Sequence, residues 1–537
     1  MKQILTLSLA IIPLLSWAYD TEVDGFAYNL NEKTKEAEVT YGWNNYVGDV
    51  VIPSSMTFEG ITYSVTSIGQ FAFAYCDSLS SVVIPKSVTH IGEYAFKSCS
   101  MLTSLTIPDG VTSIGEGSFC NCCNLISISI PNSVTLISSY LFCDCTSLSS
   151  ITIPDSVTSI GYGAFYGCKS LTSIFIPKNV ASIENLIFYG CSNLSSIIVD
   201  PRNPIYDSRE GCNAIVETSS NKLIAGCNYT KLPKSVTSIG DWAFAYCEGF
   251  SSLDLPDGVT SIGTAAFQGC INLSFITIPN SVSTIGPQAF CGCRNLLSFD
   301  IPHKVTNIGH HTFEGCSSLT SVVIPDNVTK IEANAFDSCC SLESITIGKK
   351  VQSIDRFAFF NCTNLKAVHI KDLSAWCGIQ FGIKLGFRDD DEYNRISNPL
   401  FYAQHLYLNG EEIKDLVIPN DISSINDYAF YGGSGFTSIE IPNNVTKIGR
   451  HAFKGCSGAT ELTISSNLED LEWGAFFGCS RLKNVYCLAE KKTFIWTVAF
   501  DISDIEHIIL YVPKDLVGIY MKKEPWNKFK EVKPVLP

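Results

Sequence analysis

The chain has 537 residues, 46% hydrophobic and only 17% charged, with a formal net charge of −15. That length would suggest about three or four compact domains unless internal repeats override it. The acidic balance repels phosphate backbones and anionic lipid, which argues against nucleic acid and membrane surfaces as partners.

Residues 1–18 read as a signal peptide. Lys2 gives a minimal positive start, Ile4 to Leu15 is apolar apart from small polar residues, and Ser16-Trp17-Ala18 ends in a small residue suited to cleavage. The segment is too short to span a bilayer, and no later apolar stretch reaches about 18 residues. A secreted or cell-surface product with no membrane span is expected. Residues 19–50, with Tyr41 and Trp43, are expected to form a cap over the first open strand edge.

From residue 51 a fixed period takes over. Pro85, Pro108, Pro131, Pro154 and Pro177 are each 23 apart, as are Pro233, Pro256, Pro279, Pro302 and Pro325. The unit reads L-x-x-I-x-I-P-x-x-V-T-x-I-G-x-x-A-F-x-x-C-x-x. L-x-x-I-x-I predicts a short strand with Leu and both Ile pointing inward. Pro lacks a donor and ends that strand. V-T-x-I predicts a second extended piece, and Gly is expected to permit an unusual backbone angle. A-F-x-x-C predicts one helical or 3-10 turn that carries Phe inward. A fixed period stacks like on like, so Phe73, Phe96, Phe119, Phe142, Phe165 and Phe188 should form one column. The fold class expected is a mostly-β repeat solenoid of about 17 coils, a right-handed superhelix with short turns and a small C-terminal helix.

This unit resembles the BspA-like, treponemal-type subclass of leucine-rich repeats, over nearly all of the chain beyond residue 50. The resemblance implies a secreted or surface protein, with adhesion to host matrix proteins or other cells as one role. It implies no catalytic residues.

The repeats are expected over 51–371, with a hairpin insertion at about 200–231 centred on Ser219-Ser220-Asn221. Residues 372–415 break the pattern. Their aromatic content predicts a folded insertion lobe, with a hairpin at Asn409-Gly410. Trp376, Asp389, Asp391 and Tyr402 are its candidate recognition residues. Repeats resume over 416–510. Residues 511–537 are expected to cap the last coil, Asp515 to Phe529 as an amphipathic helix.

The 23 cysteines fall mostly in the repeat column, where parallel side chains favour a buried thiol ladder over disulfides. The pair Cys120 and Cys123 lacks the partner pair a zinc finger needs, and His310-His311 lies on a corner. No metal, cofactor or catalytic site is expected. A hydrolase hidden in 372–415 would have to use the tetrad Asp389 to Glu392, Glu411, Glu412 and His405. The residue between the two Ile of each strand faces outward, on the expected concave side. Most such residues are small and hydroxylic. Phe175, Ile198, Asp254, Asp300 and His369 depart from that and are the candidate ligand-binding residues. The function expected is a non-enzymatic binding protein for a protein or glycan ligand. A structural envelope scaffold is the alternative.

Overall fold

Alternating apolar and hydroxylic residues favour a strand with one buried face. The computed structural model describes residues 19–42, 45–382, 397–464, 466–488, 499–501, 505–522, 524 and 526–535. In it, the L-x-x-I-x-I strands pair in parallel and in register with their counterparts one coil away. Ser104–Thr106 pairs with Ser127–Ser129, and Ser173–Ile176 with Ser196–Val199. Leu102, Leu105 and Ile107 of one such strand are buried.

Pro108 ends its strand, and its carbonyl accepts the Val111 amide at 3.0 Å to close a tight turn. The chain then enters V-T-x-I, where Ser113–Ile114 pairs in parallel with His90–Ile91. Threonine recurs here because it bonds twice. The Thr112 amide and Oγ1 both donate to the Thr89 carbonyl one coil back, at 2.9 and 3.3 Å. Where Gly follows, close approach explains it better than backbone freedom. A Cβ on Gly115 would lie 2.5 Å from the Glu93 amide nitrogen of the preceding coil.

The A-F-x-x-C step is a run of β-turns rather than one helical turn. The Phe73 amide donates to Ala95 O of the next coil at 2.7 Å. Its neighbours Ala74 and Cys76 instead donate within their own coil, to Phe71 O and Phe73 O at 2.9 and 3.3 Å. Two residues per coil take positive φ, as at Tyr94 (53°) and Ser98 (60°). Left-handed residues cannot propagate a right-handed helix. Alternate amides therefore build a third ladder between coils.

The phenylalanine rings stack in columns. In the first compact unit, Phe73 to Phe96 is 5.1 Å between ring centres, Phe119 to Phe142 5.8 Å and Phe142 to Phe165 5.7 Å. In the second, Phe267, Phe290, Phe313, Phe336 and Phe359 form one run, and Phe430, Phe453, Phe476 and Phe500 another. Each buried ring contributes on the order of 1.5–3 kcal/mol by area. The column cysteines do more than fill space. The Cys99, Cys122 and Cys145 thiols donate to the Phe73, Phe96 and Phe119 carbonyls of the preceding coil, at 3.1, 3.0 and 3.1 Å. The sequence signals the spacing but not this bond.

The chain makes about 19 turns of about 23 residues as a mostly-β solenoid, in two compact units. One holds residues up to Pro233 with Trp242–Gly249; the other holds Lys234–Asp241 and everything from Phe250 on. In the first unit, strands Thr21–Val23, Phe26–Asn31 and Glu36–Thr40 form an antiparallel meander whose last strand pairs with Ile61–Ile68. Ala214–Glu217 and Lys222–Gly226 form an antiparallel hairpin.

In the second unit, the described part of 372–415 is woven into the ladders. Asp372 caps the helix Leu373–Cys377 by accepting from Ala375 N at 2.9 Å. Gln380–Phe381 pairs with Ser353–Ile354, and Leu406–Leu408 with Val368–Ile370. The chain turns at Asn409-Gly410 into Glu411–Glu412. The C-terminal stretch differs from the single helix expected over Asp515 to Phe529. It is a 3-10 turn Lys514–Leu516, one helical turn Val517–Tyr520 and a second 3-10 turn Trp526–Lys528. Gly518 and Pro525 oppose helix propagation. A final strand, Glu531–Pro534, then pairs with Ile509–Val512.

Candidate binding face on the outer side of the long strands

Side chains alternate along a strand, so burying Leu and Ile forces their neighbours outward. Stacking in register then lines those neighbours up in a row on the outer face of each ladder. In the first unit the row carries Val51 (64% exposed), Val83 (56%), Phe175 (44%) and Ile198 (51%). Phe175 and Ile198 are direct register partners on paired strands. They form one apolar patch on a rigid sheet.

Acidic side chains on this face are held by hydroxyls. Asp49 accepts from Ser81 and Ser80 at 2.6 and 2.9 Å, which lowers its carboxyl pKa. In the second unit, Asp415 accepts from Ser438 and Thr437 at 2.7 and 2.8 Å, with the same effect. Asp254 is exposed and accepts from Thr277 Oγ1 at 2.5 Å, on the adjacent strand. Asp300 is exposed one coil beyond Thr277.

The second unit adds aromatic pairs. His369 packs against Tyr407 with ring centres 4.8 Å apart and planes tilted by 33°, and the two are register partners. Tyr486 stacks on Tyr511 at 4.7 Å and 14°; partial burial, with Glu461 and Tyr511 nearby, raises the Tyr486 pKa. Phe275 (52% exposed) and Val417 (53%) stand on the same type of face. A parallel ladder of short coils holds these outward aromatic and apolar side chains at a fixed spacing.

A BspA type leucine rich repeat region, in 6 copies, matches residues 66–195, 220–339, 285–376 and 403–520. The chain belongs to the BspA-type leucine-rich repeat family. A leucine rich cell surface protein from Faecalibacterium prausnitzii is 30% identical to this BspA-type chain, with a TM-score of 0.53. The match covers 67% of this chain and 97% of the other. A leucine-rich repeat protein from Eubacterium ventriosum is 25% identical at TM-score 0.50, covering 64% and 87%. No curated protein matches.

Within this BspA-type chain, the expected outward residues Phe175, Ile198, Asp254, Asp300 and His369 all stand on the outer faces of their units. The insertion candidates fare differently. Trp376 is 1% exposed, and its Nε1–H donates to Ala429 O at 2.9 Å. It belongs to the core, because helix Leu373–Cys377 packs its apolar side inward, and it is not available to a partner. The half-buried Tyr402 hydroxyl accepts the Asn361 amide at 3.1 Å, a link between elements. Asp389 and Asp391 lie outside the described residues. Of the acid–base candidates, Glu412 accepts from Lys414 and His405 at 2.5 and 2.6 Å, and these contacts, Lys414 first, lower its pKa. That is an ion cluster beside a hairpin.

Sequence reasoning missed Tyr407, Tyr486 and Tyr511. Tyr407 and Tyr511 lie off the 23-residue register, whereas Tyr486 lies 23 residues after Thr463 and its phase was legible from that spacing. Among the described residues no group of three or more His, Cys, Asp or Glu is placed to hold a metal ion. No helix among them is long and apolar enough to cross a membrane.

Proposed function

We propose that this BspA-type protein is an exported or surface-displayed, non-enzymatic binding protein that engages a protein or glycan partner through the outer strand faces. The patch of Phe175 beside Ile198 carries the reading. Two large apolar side chains, each about half exposed, stand side by side in a row whose other members in the first unit are valines and small hydroxyl residues. Packing does not require them there, and an exposed apolar patch on a rigid sheet marks an interaction site. The likeness to a cell surface protein from Faecalibacterium prausnitzii supports the placement. Adhesion to host matrix or to other cells is the role this face suits.

The test is a binding screen of the chain from residue 19 onward against matrix proteins and a glycan panel. The paired controls are F175S/I198S and H369A/Y407A, which keep the core intact. Deleting 372–415 is a poor control, since it removes Trp376 from the core. Saturable binding that one control pair weakens at least tenfold supports the proposal. Absence of any saturable ligand, or binding that neither pair changes, contradicts it.

A further inference from the structure

The A-F-x-x-C step sets the residue after Phe in a column of its own. In the first unit that column runs Lys97, Cys120, Cys143, Tyr166, one residue per coil. The coils bearing the two cysteines are tied on both sides of them. Phe119 N donates to Leu141 O at 3.1 Å, and Asn121 N donates to Cys143 O at 2.6 Å. Backbones joined by such a ladder lie about 4.8 Å apart, inside the ~4.4–6.8 Å Cα separation that a disulfide spans. The Cys143 S–H donates to Asp144 Oδ2 at 3.4 Å; the neighbouring Cys143 thiol, with Lys97 adding to it, holds Cys120 below the usual thiol range. The adjacent Cys120 thiol and burial raise the Cys143 pKa.

Contrast sets this pair apart. Cys99 and Cys122 also lie one coil apart, but both are fully buried and spend their thiol hydrogens on Phe carbonyls. Cys120 is part-exposed, and Cys143 beside it is 9% exposed. A thiol that is part-exposed and adjacent to a second thiol on the next coil has the arrangement of a redox pair.

We infer that Cys120 and Cys143 form a reversible disulfide by exchange with small soluble disulfides, a redox modification site on the turn side of the first unit. The Cys120 thiolate attacks one sulfur of the small disulfide. A mixed disulfide forms and one small thiolate leaves. Cys143 passes its proton to the Asp144 carboxylate, whose Oδ2 lies 3.4 Å from Cys143 Sγ. The Cys143 thiolate then attacks the Cys120 sulfur and expels the second small thiolate. Two protein thiols are oxidised, and one small disulfide is reduced to two thiols that carry away both protons.

The test treats the fully reduced chain with oxidised glutathione, quenches with an alkylating agent and maps peptides by mass spectrometry. The expected product is a Cys120–Cys143 linked peptide, lighter by two hydrogens than the two free peptides and released by dithiothreitol. C143S should trap glutathione on Cys120, and C120S should leave Cys143 a free thiol. K97Q should slow the first step several-fold. Three results would overturn the inference: Cys120 persisting as a mixed disulfide in the unaltered chain, Cys120 bridging to Cys123, or both thiols staying free while the exposed Cys340 is glutathionylated. Circular dichroism of each serine variant confirms that the fold is kept.

Discussion

Replacing Phe142 by Ala measures what one ring of the column is worth. Phe142 is 0% exposed and stacks on Phe119 at 5.8 Å and on Phe165 at 5.7 Å. Its amide donates to Ala164 O at 2.8 Å, a bond that alanine keeps. The loss is therefore side-chain packing alone. Truncating a buried Phe to Ala costs about 3–5 kcal/mol, and each aromatic contact is worth about 0.5–1.5 kcal/mol beyond area. With two ring neighbours lost and neighbouring coils pinned by backbone ladders, relaxation into the gap is restricted. The expected cost is in the upper half of that range, about 4–5 kcal/mol. Urea unfolding followed by circular dichroism gives the total, and hydrogen exchange shows where it falls. In a quasi-one-dimensional fold the damage is local. Amides in coils 119 to 168 should lose protection first, while those beyond Phe250 keep theirs. A cost under about 1 kcal/mol, or uniform loss of protection, would refute stacked rings as the source of cohesion.

Phe175→Ser, by contrast, removes a side chain that is 44% exposed, and unfolding should change by no more than about 0.5 kcal/mol. Trp376→Ala should cost about 3–5 kcal/mol by cavity formation, with thermal unfolding as the readout; a shift no larger than that of Phe175→Ser would return Trp376 to the surface. Asp200 accepts from Arg202 Nη2 at 2.7 Å and Nε at 3.0 Å, which brings its pKa down from 3.8 to about 2. Its folded pKa is depressed, so its contribution is full above pH 3.8 and fades as pH falls through about 2. An NMR titration of Asp200 should show that low value, and R202Q should raise it part of the way, since the residue 202 amide still donates to Asp200 Oδ1 at 2.9 Å.

The repeat was legible because its period is strict: a run such as Pro85, Pro108 and Pro131 admits one register, and the register fixes which side chains meet. Inward Leu, Ile and Phe, and the outward row with Phe175 and Ile198, follow from that register alone. What did not follow is chemistry between coils. The Cys-to-Phe-carbonyl bond and the doubled Thr112 bond to Thr89 depend on which backbone groups the turns leave free. The turn itself was misjudged, since positive φ at residues such as Tyr94 and Ser98 has no mark in a sequence where Tyr, Ser, Asn and Gly alternate at those steps. Trp376 looked like a surface anchor because the insertion lacks periodicity, and without a period there is no phase from which to read inward or outward. Tyr486 keeps the period, 23 residues after Thr463, and its outward phase could have been read from it.

The in-register stacking of coils is tested most directly by thiol protection in the folded, fully reduced chain. With a small alkylating reagent, Cys340 is expected to react first, followed by part-exposed Cys120 and Cys123, while the buried column from Cys99 to Cys191 and from Cys270 to Cys362 stays unmodified until denaturant is added. Column cysteines that alkylate as fast as Cys340 in native buffer would contradict the account.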